Sequence, residues 1–324
     1  MVALVAIVAV LLIVISAVQT LKIAELWAIN KGKVIYEVTK KQNKTQALLM
    51  LVFLVAYFAF FAWQVWKWGD LMLPVSASEH GVVTDKLLNI TYAFIIPVFI
   101  ITHIFLFWFA YKYAHNPNRK AVFFSHSNKL ELVWTIIPSI ALTVLILFGL
   151  SSWNEIMTPV DSEKEHVLIE VQAQQFSWNA RYAGNDGKLG RAGVEFIEGI
   201  NAMGIDINDK NAKDDKVVRG EIHLPVGVPV QFVFRSIDVI HSAYMPHFRA
   251  QMNCVPGVKT QFNFVPTITT KEMKKITNNE DFNYILLCNK ICGAAHYNMQ
   301  MDIIVESKED YEKWLAEQKQ FAEN

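Results

Sequence analysis

Hydrophobic positions along the chain follow two regimes. Residues 2–20 (VALVAIVAVLLIVISAVQT) carry no charge, and three further predominantly apolar runs, 46–66, 92–111 and 133–150, are each bounded by charge. About 20 apolar residues let a helix cross the roughly 30 Å of hydrocarbon in a bilayer, so each run predicts a membrane span. The first lacks the basic start and small-residue cleavage site of a secretory signal and reads as a retained helix. Pro97 and Pro138 fall inside spans and are expected to kink them. From about residue 160 the pattern changes to short β-branched runs broken by turn residues: HVLIEVQAQ, VVRGEIHLPVGVPVQFVFRS, TQFNFVP, NYILLC and MDIIVE. Their length and spacing predict an all-β sandwich or barrel. Between Gly184 and Gly220 a polar stretch of low periodicity predicts a long surface excursion, and ESKEDYEKWLAEQKQ predicts a short amphipathic helix at 306–324.

Local charge orients the spans. Lys22, Lys31, Lys33, Lys40, Lys41 and Lys44 lie between the first two, and Lys112, Arg119, Lys120 and Lys129 between the last two. Both loops are expected on the cytoplasmic side. The intervening loop sets Asp70, Glu79 and Asp85 against Lys67 and Lys86 and belongs outside, as does everything after residue 152. Four spans then put both termini outside, in a bacterial-type inner membrane. Trp63, Trp66, Trp68 and Trp153 sit near the outer ends, where amphipathic rings anchor at the lipid interface.

Composition supports this division. The 324 residues are 53% hydrophobic and 12% aromatic, too apolar for a wholly soluble chain of this length. Lys plus Arg equals Asp plus Glu at 30 each, so net charge gives no argument for nucleic acid as a partner. Three cysteines, Cys254, Cys288 and Cys292, cannot build a disulfide framework. Cys254 reads as a small buried residue, and His103, inside a span, is costly there unless it faces other protein.

The chemistry gathers between the runs NYILLC and MDIIVE, where the chain reads Cys288-Asn-Lys-Ile-Cys292-Gly-Ala-Ala-His296-Tyr-Asn-Met299. Thiolate and thioether are soft donors that favour copper, whereas a structural zinc site takes four Cys or His donors and has no use for Met. Two metals sharing two thiolates would each need a terminal imidazole. His241, in RSIDVIHSAYMPHF, follows a run of alternating residues and is the candidate, although taken alone it would read as an ordinary histidine. Asp238, three residues earlier, is either its hydrogen-bond partner or an exposed strand-end carboxylate.

The loop CNKICGAAHYNM, the segment SIDVIHS, the phrase HNPNRK followed by KLELVWTIIP, and NCVPG from Asn253 to Gly257 together resemble subunit II of cytochrome c oxidase. The resemblance covers roughly residues 90–320. It implies a subunit II-type transmembrane hairpin at 90–153 and a cupredoxin-like Greek-key domain at 160–305, interrupted by an excursion at about 184–220. It also implies a dinuclear copper centre, CuA. Cys288 and Cys292 would bridge both ions, and His241 and His296 would each terminate one. Met299 would be a weak ligand to one ion and the backbone carbonyl of Lys290 to the other. The implied task is to accept electrons from a c-type cytochrome and pass them to haem in subunit I, where oxygen is reduced to water. No Cys-x-x-Cys-His motif occurs, so that cytochrome is another polypeptide. A copper-free scaffold subunit of a quinol oxidase is the competing reading, and the filled ligand positions count against it.

Departures from the family pattern carry expectations too. Lys290 stands where the family has a Glu whose side chain serves a magnesium ion shared with subunit I, which puts that ion in doubt but leaves the carbonyl ligand. Phe176 stands where the family has the tryptophan that receives electrons, with Trp178 two residues on, so both are candidates for electron input. Glu131 is either the entrance of a proton path into subunit I or a carboxylate favoured at a helix start. The spans within 1–67 are an addition to the family's two and are expected to dock further membrane subunits.

Overall fold

The computed structural model describes residues 2–32, 39–114, 118–161 and 163–323. Lys33 and the His115-Asn116-Pro117 part of HNPNRK lie outside the described residues. The chain divides into two compact units, Met1–Ala62 with Ile100–Phe124, and Trp63–Phe99 with Ser125–Asn324.

Four long apolar helices come first: α1 (Val2–Asn30), α2 (Lys40–Trp68), α3 (Glu79–Lys112) and α4 (Asn128–Met157). Each is long and apolar enough to cross a membrane. They outrun the apolar stretches that announced them. At 1.5 Å per residue, about 20 residues match the hydrocarbon. The polar flanks, such as Lys40 to Lys44 of α2, extend the helix toward headgroups and water with its backbone bonds intact. Helices α3 and α4 continue through Pro97 and Pro138. Within the first unit, α2 and the later part of α3 meet through rings, Phe53 on Phe107 at 5.4 Å and Tyr57 stacked on His103 at 5.7 Å. His103 therefore does face protein.

In the second unit two five-stranded sheets pack face to face. The first has the order β3-β2-β1-β5-β8, from β1 (Val167–Gln174), β2 (Ser177–Tyr182), β3 (Lys216–Arg219), β5 (Val230–Ser236) and β8 (Thr260–Phe264). The second has the order β4-β10-β9-β6-β7, from β4 (Glu221–Pro225), β6 (His241–Met245), β7 (Ala250–Cys254), β9 (Tyr284–Cys288) and β10 (Gln300–Glu306). Parallel pairs, β1 with β5 and β4 with β10, tie distant parts of the chain together, and the remaining ladders are antiparallel. Ile169, Val171, Phe232 and Phe234 of the first sheet pack with Leu224, Leu286, Ile303 and Val305 of the second in one core. Burying a side chain of this kind stabilises by about 1.5–3 kcal/mol. Strand β10 alternates buried and half-buried residues as a strand with one covered face should.

Strands β1 and β5 do not alternate. Glu170, Gln172 and Arg235 point away from the core yet are buried. The excursion between β2 and β3 covers them: Gln172 Nε2 and Arg235 Nη2 both donate to the Met203 carbonyl, at 3.3 and 2.9 Å. Glu170 lies between two guanidiniums, Arg181 on β2 and Arg235 on β5, and ion-pairs with both. Arg181 also meets Asp215 at 2.7 Å and the Gly190 carbonyl at 2.7 Å. Polar outer-face residues are thus buried because each guanidinium and the carboxylate between them has a partner.

Side chains at two positions, among other contacts, fix the sandwich to the helical part of its unit. Asn263 of β8 donates to the carbonyls of Ile156 and Thr158 at the end of α4, at 3.3 and 2.8 Å. Arg249, after β6, reaches both carboxylate oxygens of Asp85 in α3 at 2.8 Å and the carbonyls of Pro74 and Pro246 at 2.6 and 2.8 Å. Its φ of +53° is a left-handed conformation that costs a non-glycine residue about 1–2 kcal/mol. The two-pronged ion pair and two carbonyl bonds offset that cost. Between β8 and β9, helix α5 (Thr270–Thr277) starts in a capping box, with Thr269 and Glu272 exchanging side-chain-to-backbone bonds. Helix α6 (Lys308–Glu317) follows β10.

Candidate metal centre

Strand pairing brings the separated ligand candidates together. Strands β6 and β9 are antiparallel, with Ala243 opposite Cys288, so His241 at the start of β6 lies beside the point where β9 opens into the cysteine loop. His241 follows β5, as expected, and also opens β6, and the pairing of β6 with β9 puts its ring at the loop. Two backbone bonds fix the loop's ends: Cys288 N–H to the Met299 carbonyl at 3.1 Å, and Asn289 N–H to the Ser242 carbonyl at 2.9 Å.

The donor atoms form a continuous set. Cys288 Sγ is 3.9 Å from Cys292 Sγ, 3.7 Å from His241 Nδ1 and 3.3 Å from the Lys290 carbonyl oxygen. Cys292 Sγ is 3.6 Å from His296 Nδ1 and 3.9 Å from Met299 Sδ. His241, Cys288 and Cys292 form a group able to hold a metal ion, their ligand atoms all within 4.8 Å of one another. Donors that share a metal at a thiolate bond of about 2.3 Å must lie within roughly 4.6 Å of each other, and every neighbouring pair here does. The chemistry of the set, two thiols, two imidazoles, a thioether and a carbonyl, fits copper. All six positions singled out from the sequence are brought together, and His241, Cys292 and Met299 are buried.

Around these donors the protein sets orientation and polarity. Asp238 Oδ1 accepts from His241 Nε2 at 2.8 Å, leaving Nδ1 turned to the sulfur. A ring nitrogen held by a carboxylate fixes tautomer and direction, the usual support of a metal-ligating histidine. Although partial burial pushes its carboxyl up, bonds from Gln175 N–H, His241 and Val239 N–H hold Asp238 below the usual carboxylate range. Burial, and then the neighbouring Cys288, push the Cys292 thiol up to about 11. A thiol with no metal therefore keeps its proton here, and a coordinated one gives it up. Cys254, opposite His241 on β7, is fully buried, and burial pushes its thiol up to about 12, as expected of an inert core residue.

Phe176 lies in the turn between β1 and β2, partly exposed. A Cβ built on Gly293 would come within 2.8 Å of the Phe176 ring, so the ring rests against the loop backbone just after Cys292. Trp178 is buried and meets His241 edge-on at 6.3 Å. Glu131 is exposed in the first turn of α4, beside the Ser127 cap. Lys290 and Ile291 are exposed on the loop. Sequence reasoning missed Gln175, whose amide donates to the Cys292 carbonyl, because its partner is 117 residues away. A cavity of about 880 Å³ lined by Met203, Val217, Arg219, Trp314 and Phe321 lies between the excursion and α6, in a different part of the sandwich from the cysteine loop.

Comparison with known proteins adds independent findings. Residues 66–153 match the family described as cytochrome c oxidase subunit II, transmembrane domain, and residues 167–308 match its periplasmic domain. The alternative cytochrome c oxidase subunit 2 of Bradyrhizobium diazoefficiens is 33% identical over 278 residues, covering 85% of this chain and 92% of that protein. Cytochrome c oxidase subunit 2 of Thermostichus vulcanus is 25% identical over 273 residues, 78% of this chain and 80% of that one. A probable cytochrome c oxidase subunit 2 of Rickettsia bellii is 28% identical over 205 residues, 62% of this chain and 66% of that one.

Proposed function

This chain belongs to the cytochrome c oxidase subunit II family, and from that premise we propose that its six converging donors hold a dinuclear CuA centre. It is a membrane protein with a periplasmic domain and the electron-input subunit of a haem–copper oxidase. In this reading Cys288, Cys292, His241 and His296 would hold the copper, with Met299 and the Lys290 carbonyl as weaker donors. The observation that carries it is the run of donor contacts from the Lys290 carbonyl through both sulfurs to Met299, each 3.3–3.9 Å.

When bound, such a copper pair supplies a one-electron centre whose charge is shared over two bridged ions. The protein's part is to keep the donors still. Strands β6, β9 and β10 clamp the loop at both ends, Asp238 fixes the His241 ring, and burial of Cys292 and Met299 keeps water from the sulfurs. Ligands that need not move when an electron arrives favour fast transfer. Phe176 and Trp178, one against the loop backbone and one against His241, are the proposed points of electron input. The donor would be a c-type cytochrome, and the acceptor haem in subunit I. Lys290 carries an ammonium where a magnesium ion would need a carboxylate, so this reading leaves that ion out.

The proposed placement is a bacterial inner membrane with both termini and the copper domain outside. Residues 1–67 would be an added hairpin that docks further membrane subunits, 90–153 the hairpin facing subunit I, 160–305 the copper domain and 306–324 a terminal helix. Glu131 would then open a proton path into subunit I. The test is electron spin resonance of the copper-loaded oxidase complex: a delocalised seven-line copper signal is expected, and a single-copper four-line spectrum would sink the assignment.

A further inference from the structure

We propose that Gln175 is a positioning residue that straps the aromatic turn to the metal-bearing loop; the inference rests on the reading of Phe176 as a point of electron input. The turn belongs to the first sheet, between β1 and β2, and the loop to the second, between β9 and β10. Among the described residues no strand ladder joins these two sheets, and side chains hold the turn against the loop.

Gln175 does this with both of its donors. Its backbone N–H donates to Asp238 Oδ2 at 2.6 Å, and the other oxygen of that carboxylate holds His241. Its side-chain amide donates to the carbonyl of Cys292. One residue is thus bonded directly to one ligand position and, through a single carboxylate, to another. Gly293 makes the approach close enough. Its φ of +144° lies where side chains are rarely found, and a Cβ there would come within 2.9 Å of the Gln175 amide and 2.8 Å of the Phe176 ring. The amide bond and the ring contact therefore share one patch of loop backbone, and the strap sets how closely Phe176 sits on it. Gln175 touches no reacting atom in this account; it fixes the distance across which an electron leaves the aromatic ring.

Two variants of the full chain, assembled in the oxidase complex, test this. Gln175→Met keeps the length and loses the donor, and Gln175→Lys keeps a donor. Loss of one hydrogen bond of about 0.5–1.5 kcal/mol corresponds to roughly two- to tenfold more opening. Amide exchange at Phe176, Ser177 and Gly293 in Gln175→Met is expected to quicken by that factor. Cytochrome oxidation at limiting donor should fall by at least about twofold, with the seven-line copper spectrum unchanged. Gln175→Lys should recover most of both. Wild-type exchange and wild-type oxidation in Gln175→Met would overturn the inference. An altered copper spectrum in that variant would overturn it too, since Gln175 would then be supporting the ligand set rather than the turn. If the unmodified complex lacked the seven-line signal, the copper reading would fall, and the exchange comparison would still decide whether Gln175 holds the turn.

Discussion

Two groups of buried polar residues in the same sandwich are built on opposite plans. Glu170, Arg181, Arg235 and Asp215, under the excursion, answer one another: each guanidinium faces a carboxylate and a carbonyl. The donors at the end of the second sheet do not complete one another in that way. The contacts among the donors all run through sulfur, at 3.3–3.9 Å, and the closer partner, Asp238 at 2.8 Å from His241 Nε2, lies behind a donor and not among them. A buried polar group costs free energy unless it is paired. The first cluster meets that demand from inside the chain, Asp215 Oδ1 excepted, and holds the excursion down. In the proposed reading the second leaves it to an ion from outside. Near-complete internal pairing is thus the mark of the structural cluster, and its lack at the donor set is what the proposed copper site would make good.

The largest expected effect breaks the second region alone. Cys292→Ser should abolish the copper spectrum and cytochrome oxidation while the chain remains inserted in the membrane; oxidation retained by the mutant complex would contradict the role given to this sulfur. Arg181→Met attacks the other region, leaving Asp215 buried without its cation and Glu170 with Arg235 alone. Breaking a buried pair from one side costs about 3–5 kcal/mol. Chemical unfolding should show that loss, with the copper spectrum of the folded variant unchanged; a changed spectrum would mean the two regions are coupled.

Asp238→Asn should weaken copper binding by about ten- to hundredfold, the usual cost of losing the partner behind a ligand. Competition with a chelator measures it, and wild-type affinity would make Asp238 a bystander. A smaller effect concerns pH. Burial raises the Asp215 carboxyl to about 7 despite Arg181, and its Oδ1 is buried with no partner among the described residues. A carboxyl with a folded pKa above its unfolded one binds protons more tightly when folded. Its contribution is full below about pH 4 and is lost as pH rises through about 7. The melting temperature should therefore decline between pH 5 and pH 8, and Asp215→Asn should flatten that slope; an unchanged slope would refute it. The smallest effect is expected of Lys290→Ala. Only its carbonyl faces Cys288, so the copper spectrum should stay as it was.

What could be read from the sequence followed how local each signal was. Four spans showed as uninterrupted apolar runs, and the strands around the cysteine loop showed as short β-branched runs. Four of the six donor positions announced themselves by spacing within twelve residues. His241 needed the family resemblance as well, because the pairing of β6 with β9 that brings it to Cys288 joins residues 47 apart. Strands β6 and β7 and helix α5 left weaker periodic signals. The Glu170 cluster, the Gln175 strap and the Arg249 joint left none, since their partners lie 11 to 175 residues away and each is an ordinary polar residue until the fold places it.

Strand β10 has a consequence for timing. It runs between β4 and β9, and its first residues complete the clamp on the loop. A chain delivered from its amino end presents His241, Cys288 and Cys292 before Gln300–Glu306 exists to dock. At roughly 5–20 residues per second, the 14 residues from Cys292 to Glu306 take about 1–3 s to make. For that interval the cysteine loop is a loose tail with one end anchored. The proposed donor set would be shut by the arrival of a strand that contributes no donor of its own, so a truncation within β10 would leave every donor in the chain and no closed loop to gather them.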